Sequence, residues 1–167
     1  MPPLARLSPV AAAVVEDHRR LRTAADELAE TAIHTPPVAE GGRWCGDLAS
    51  RLHELSSGLD RHFRHEEEDG LYAELAQGMP DEAGQIVRLQ EQHLRLAQTC
   101  RALADEAATT PLDEEAFCRL AARIAAFVAE LASHEAGESD LMLRASREAR
   151  TASDEPVRAM EAGGTRG

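Results

Sequence analysis

The chain has 167 residues, a net charge of −12 and only 3% aromatic residues. That length suffices for one domain with a buried core, and the Ala- and Leu-rich composition favours helix over sheet. Every basic residue is Arg; an acidic chain without a basic block suits neither a nucleic-acid backbone nor an anionic membrane.

No apolar run approaches the roughly 18 residues of a membrane span. Met1-Pro2-Pro3-Leu4-Ala5-Arg6 lacks the apolar segment of a secretory signal, so a cytoplasmic location is expected. The cysteines are Cys45, Cys100 and Cys118, with no CxxC pair. An odd, widely spaced set matches neither a disulfide framework nor a thiolate zinc site.

Residues 1–7 read as a loose N-terminus. Ser8-Pro9 then starts a first helix, Ser as N-cap and Pro in the first turn. Its apolar stripe is Val14, His18, Leu21, Ala25, Leu28 and Ala32. The steps of four and three are the period of a helix packed in a bundle, and His18 takes a core position. His34-Thr35-Pro36-Pro37 and Gly41-Gly42 predict a loop.

A second helix is expected from about Arg43, with the stripe Leu48, Leu52, Leu55, Leu59, His62 and Glu66. The register never slips, so His62 and Glu66 inherit the direction of the leucines. Gly70 weakens this helix and Gly78-Met79-Pro80 closes it. A third runs from about Asp81 with Ile86, Leu89, His93, Leu96, Cys100 and Leu103, and Pro111 prevents continuation. A fourth starts near Asp113 and carries Phe117, Leu120, Ile124, Phe127, Leu131, His134, Glu138 and Leu141. Beyond Arg147 the stripe fades, and residues 149–167 read as a disordered tail.

Long amphipathic helices joined by short loops predict an all-α fold, an antiparallel up-down-up-down four-helix bundle over residues 8–148. A weak internal repeat agrees with it. His18 precedes His62 by 44 positions and His93 precedes His134 by 41, and each half supplies one lone His and one His-x-x-x-Glu. At about 1.5 Å per residue these positions fall within one or two turns of each other across the bundle.

A carboxylate facing an apolar core is costly unless it is paired or bound to a metal. The candidate ligands are His18, His62, Glu66, His93, His134 and Glu138. Six donors from two matching halves are too many for one ion. Two ions, with Glu66 and Glu138 bridging, fit better, and open positions remain for solvent or a small ligand. Imidazole and carboxylate together suit iron, manganese or zinc better than calcium or magnesium.

Ferritin-like di-iron bundles place Glu three residues before His; here His comes first and Glu follows at four. In that order and register the sequence resembles the hemerythrin-like family, in its HHE cation-binding form, over about residues 8–148. The resemblance implies a non-haem di-iron centre held by His18, His62, Glu66, His93, His134 and Glu138, with O2, NO or peroxide as the molecules met there. Oxygen carriers of the family have a second His four residues after the third-helix His, where this chain has Ala97. Their last carboxylate is an Asp five residues after the fourth-helix His, where this chain has Ser139. With one imidazole fewer, the site is expected to be more open and less suited to reversible O2 carriage. The other readings are a di-iron oxidase or oxygenase acting on a small organic substrate, a non-catalytic iron or oxygen sensor or store, and a purely structural bundle.

The neighbouring residues are given blander expectations. His65 and Glu67 flank the seam as surface or supporting groups, His65 being the alternative ligand. Glu68 and Asp69 form a solvated charge run, and His34 and His53 fall off the stripes. Tyr72, near this end of the second helix, is read first as ordinary packing and otherwise as a hydrogen-bond partner of a ligand, and buried Cys100 as a small hydrophobe. Trp44, Phe63, Phe117 and Phe127 are read as bundle filling.

Overall fold

The computed structural model describes residues 9–163. Five α-helices form: α1 (Pro9–Ile33), α2 (Gly41–Glu68), α3 (Leu71–Gly78), α4 (Ala83–Thr109) and α5 (Glu114–Gly163), with 3-10 turns at Val38–Glu40 and Pro80–Glu82. Among the described residues there is no strand, and no helix is long and apolar enough to cross a membrane. The loose N-terminus expected at residues 1–7, and Ser8 as N-cap, lie outside the described residues.

Two expectations need correction. The second predicted helix is divided at Gly70, whose φ of 93° lies in the left-handed region that glycine adopts without strain. The chain turns there and continues as α3, so the third and fourth predicted helices are α4 and α5. Gly41 and Gly42 open α2 rather than forming a loop. A Cβ at Gly41 would lie 2.0 Å from Cζ of Phe117, so the bare backbone is what lets this ring sit against the first turn of α2. The α5 backbone is helical to Gly163.

The four long helices close a ring: α1 and α4 each pack against both α2 and α5. Asp113 caps α5, its Oδ1 accepting from the amide of Ala116 at 2.8 Å. Trp44 on α2 donates to the carbonyl of Thr31 on α1 at 2.9 Å and packs against Phe117. It thus ties the end of α1 to the start of α2 and α5.

Two apolar clusters fill the interior. The larger contains Leu28, Leu48, Leu52, Leu103, Leu120 and Ile124, and the smaller contains Val14, Leu71, Tyr72, Ile86, Leu89 and Leu141. Removing each such side chain from water contributes about 1.5–3 kcal/mol. Each long helix, α2 together with α3, passes from one cluster to the other through a polar position. On α1 the order is Val14, His18, Leu21; on α2 it is Leu59, His62, Glu66, and then Leu71 on α3. On α4 it is Leu89, His93, Leu96; on α5 it is Leu131, His134, Glu138, Leu141. The polar layer is therefore sandwiched between two dry ones.

Candidate metal centre

All six residues singled out from the sequence are buried, none more than 3% exposed, and the fold brings them together. Their donor atoms form two overlapping groups. One is His18, His62, Glu66 and Glu138; the other is Glu66, His93, His134 and Glu138; within each, the atoms lie within 4.8 Å of one another. Glu66 and Glu138 are members of both groups.

The separations are short. Nε2 of His62 is 3.3 Å from Oε1 of Glu66, and Nε2 of His93 is 3.2 Å from Oε2 of the same residue. Nε2 of His134 and of His18 each lie 3.1 Å from Glu138, and His18 is 3.7 Å from Glu66. Yet both oxygens of Glu66, both ring nitrogens of His62 and Nε2 of His134 make no hydrogen bond. Buried polar atoms this close are ordinarily satisfied by one another. Here they crowd a common space without the alignment of a hydrogen bond, which is the arrangement a cation between them would satisfy. Imidazole and carboxylate donors together fit a first-row transition metal.

The remaining polar groups around the layer are tied across helices. Nδ1 of His93 donates to Oε1 of Glu67 at 2.7 Å, and Nδ1 of His134 donates to Oε1 of Gln92 at 2.8 Å. Such bonds fix the tautomer and leave Nε2 free to face inward. His65 is in neither donor group, and its Nδ1 bonds Oδ2 of Asp17 at 2.9 Å. Glu135, fully buried, accepts from Nε of Arg22 at 2.7 Å. Glu68, Asp69, His34 and His53 are exposed, as expected.

Two bland expectations fail here. Tyr72 is not mere packing: its hydroxyl donates to Oε1 of Glu138 and lies 3.0 Å from Nε2 of His93. Gly70 makes this reachable, because the turn swings α3 under the polar layer. Phe63 does more than fill space. Its ring stacks on His93 with centroids 4.0 Å apart and meets His134 edge-on. Cys100 behaves as the expected small hydrophobe, with Sγ donating to the carbonyl of Leu52 and burial pushing the thiol up to about 12.

Charge in the metal-free layer is set by opposing effects. Burial pulls His18 and His93 down, but the carboxylates of Glu138 and Glu66 outweigh it and raise both to about 9. His62 is lowered to about 4, because burial dominates over Glu66. Burial also opposes the charge on Glu138, yet bonds from His134, His18 and His93 hold it well below the usual carboxylate range. Burial and the adjacent Glu138 charge push the Tyr72 phenol far up, so it stays a donor. Burial raises Glu135 against the pull of Arg22.

No curated protein and no solved structure matches the chain. A family model, the hemerythrin HHE cation binding domain, matches residues 10–146. That span holds both His-x-x-x-Glu pairs, both lone histidines and all four long helices' polar crossings. The chain belongs to the hemerythrin HHE cation-binding family.

Proposed function

We propose that this protein is a non-haem di-iron protein that binds or reacts with O2, NO or peroxide, built on an up-down-up-down antiparallel bundle and working in the cytoplasm. The observation that carries the reading is the pair of four-residue donor groups that share both carboxylates. His18 and His62 would hold one ion, His93 and His134 the other, and Glu66 and Glu138 would bridge them. The alternating order in which the helices meet the two apolar clusters supports the bundle topology. Iron held in this way supplies one-electron chemistry toward diatomic or peroxide ligands.

The chain's own residues set the conditions for that chemistry. Leu59, Leu96 and Leu131 on one side and Val14, Leu89 and Leu141 on the other keep bulk water from the polar layer. The Tyr72 hydroxyl holds Glu138 and presents the one phenolic proton next to the donor atoms. Glu67 and Gln92 orient two of the imidazoles.

Anaerobic reconstitution of the metal-free protein with Fe(II), followed by elemental analysis and Mössbauer spectroscopy, tests the reading. Two irons per chain are expected, with a change in visible absorption on mixing with O2, NO or peroxide. Failure to bind iron, or binding of one equivalent only at saturating iron, would overturn it. Mn(II) and Zn(II) competition identifies the preferred ion for the same donors.

A second reading, oxidation of a small organic substrate, is favoured by one feature. A cleft of about 560 Å³ opens between α2 and α4, and its wall includes Phe63, His93 and Ala97. The small side chain of Ala97 leaves that wall open. Substrate-dependent O2 consumption by the iron-loaded protein would select this reading over simple ligand binding.

A further inference from the structure

The two halves of the polar layer correspond by sequence repeat, but their supporting bonds do not. In the half built by α4 and α5, both imidazoles donate from Nδ1 to an acceptor: His93 to Glu67 and His134 to Gln92. Gln92 immediately precedes the lone His of its half. The equivalent residue in the other half is Asp17, just before His18, and it would be the matching acceptor for His62. Asp17 instead bonds His65 at 2.9 Å, with Arg20 at 3.7 Å. Nδ1 of His62 is left buried with no partner. The counterpart of Glu67, the residue after the bridging Glu, is Ser139, which makes no bond to His18 among the described residues.

The difference extends beyond hydrogen bonds. Tyr72 places its hydroxyl beside His93 and Glu138, adding a polar atom to one half alone. Phe63 stacks its ring face on His93 and packs at a near right angle to the His134 ring, restricting both. An acceptor on the outer nitrogen fixes the tautomer and strengthens the imidazole as a donor. Losing such an acceptor typically costs about 10- to 100-fold in metal affinity.

We propose that the two metal positions are unequal and fill in order. The position of His93 and His134 binds first and tightly; that of His18 and His62 binds second and exchanges. The protein then passes through a defined one-metal state, and the exchangeable ion is the one lost when metal is scarce. This inference rests on the dinuclear reading above.

Titration of the metal-free full-length chain with Co(II), followed by visible absorption and calorimetry, tests it. Two phases differing at least about tenfold in affinity are expected. His18→Ala should remove the weak phase and keep the tight one, while His134→Ala should remove the tight one. Glu67→Ala and Gln92→Ala should each weaken the tight phase by about 10- to 100-fold, with helical circular dichroism unchanged. Glu67→Gln, which keeps an acceptor oxygen, should restore it. Glu67 is exposed and Gln92 half-buried, so these variants spare the core. Two equal phases, or a tight phase that survives His134→Ala and is lost in His18→Ala, would overturn the order while leaving the dinuclear reading intact. A single equivalent of bound metal, or none, would overturn the dinuclear reading and the order with it.

Discussion

The hydroxyl of Tyr72 donates to the carboxylate of Glu138 across the boundary between the smaller apolar cluster and the polar layer. The contact joins α3, a helix of eight residues, to the fourth long helix at the point where four imidazoles converge. Tyr72→Phe keeps the ring and its packing but removes this bond. A buried hydrogen bond to a charged acceptor contributes about 1.5–3 kcal/mol. The metal-free variant is expected to lose stability within that range in urea unfolding, with an unchanged slope. It should still take up metal, since no imidazole or carboxylate is touched. An unfolding midpoint equal to that of the wild type would show that the bond contributes nothing.

Glu66 reaches imidazoles from both halves, within 3.3 Å of His62 and 3.2 Å of His93. Glu138 likewise lies 3.1 Å from both His18 and His134. Each carboxylate therefore belongs to both donor groups. Glu66→Ala or Glu138→Ala is expected to lose metal from both positions, not from one. Elemental analysis after reconstitution and desalting decides it; two retained ions in either variant would refute bridging.

The long helices and the six polar core positions were legible because both follow from one periodic signal. His62 and Glu66 continue the register of Leu48, Leu52, Leu55 and Leu59, and a helix cannot turn its face between neighbouring steps. The break at Gly70 was not legible, since a glycine in a helical pattern permits a left-handed turn without requiring one. The contacts of Tyr72 with Glu138, Glu67 with His93 and Gln92 with His134 span 66, 26 and 42 positions. Nothing local marks such pairs. They depend on how far each helix slides past its neighbour, which stripe periodicity leaves undetermined. Asp17 and Glu135 were missed for a similar reason: each sits beside a stripe residue and looks like the edge of a solvated face.

The charge state of the layer gives the metal-free protein a definite pH dependence. An unperturbed imidazole titrates near 6.5, and His18 and His93 are raised to about 9 by Glu138 and Glu66 against burial. Their contribution to stability is full below about 6.5 and is lost as pH rises to about 9. His62, lowered to about 4 by burial, contributes above about 6.5, and this is lost as pH falls toward 4. Glu138, also lowered, adds to the acid-side loss. The metal-free protein should thus be most stable near pH 6 to 7 and weaken on either side. Metal must displace the protons of His18 and His93, so uptake at pH 7 should release protons and strengthen toward pH 9. Thermal unfolding at pH 6.5 and 9, with and without metal, checks both signs. A metal-free Tm that is flat over this interval would contradict the assignment.

Gly41 and Gly42 stand side by side in the first turn of α2, yet they face different surroundings. A Cβ at Gly41 would fall 2.0 Å from Cζ and 2.7 Å from Cε2 of Phe117, whose side chain is fully buried between α2 and α5. A Cβ at Gly42 meets nothing within 4 Å. Gly41→Ala must displace an aromatic ring that Trp44 also packs against; overpacking of this kind costs about 1–3 kcal/mol. Gly42→Ala removes the entropic penalty of glycine in a helix and is expected to stabilise by up to about 1 kcal/mol. Neither variant should alter metal binding, because Phe117 and Trp44 belong to the larger apolar cluster, away from the polar layer. Urea unfolding of both variants, with metal content measured in parallel, tests the separation. Equal stability for the two would mean that the Phe117 ring moves aside without cost. A loss of metal in Gly41→Ala alone would mean that strain at this end of the bundle is transmitted along α2 to His62.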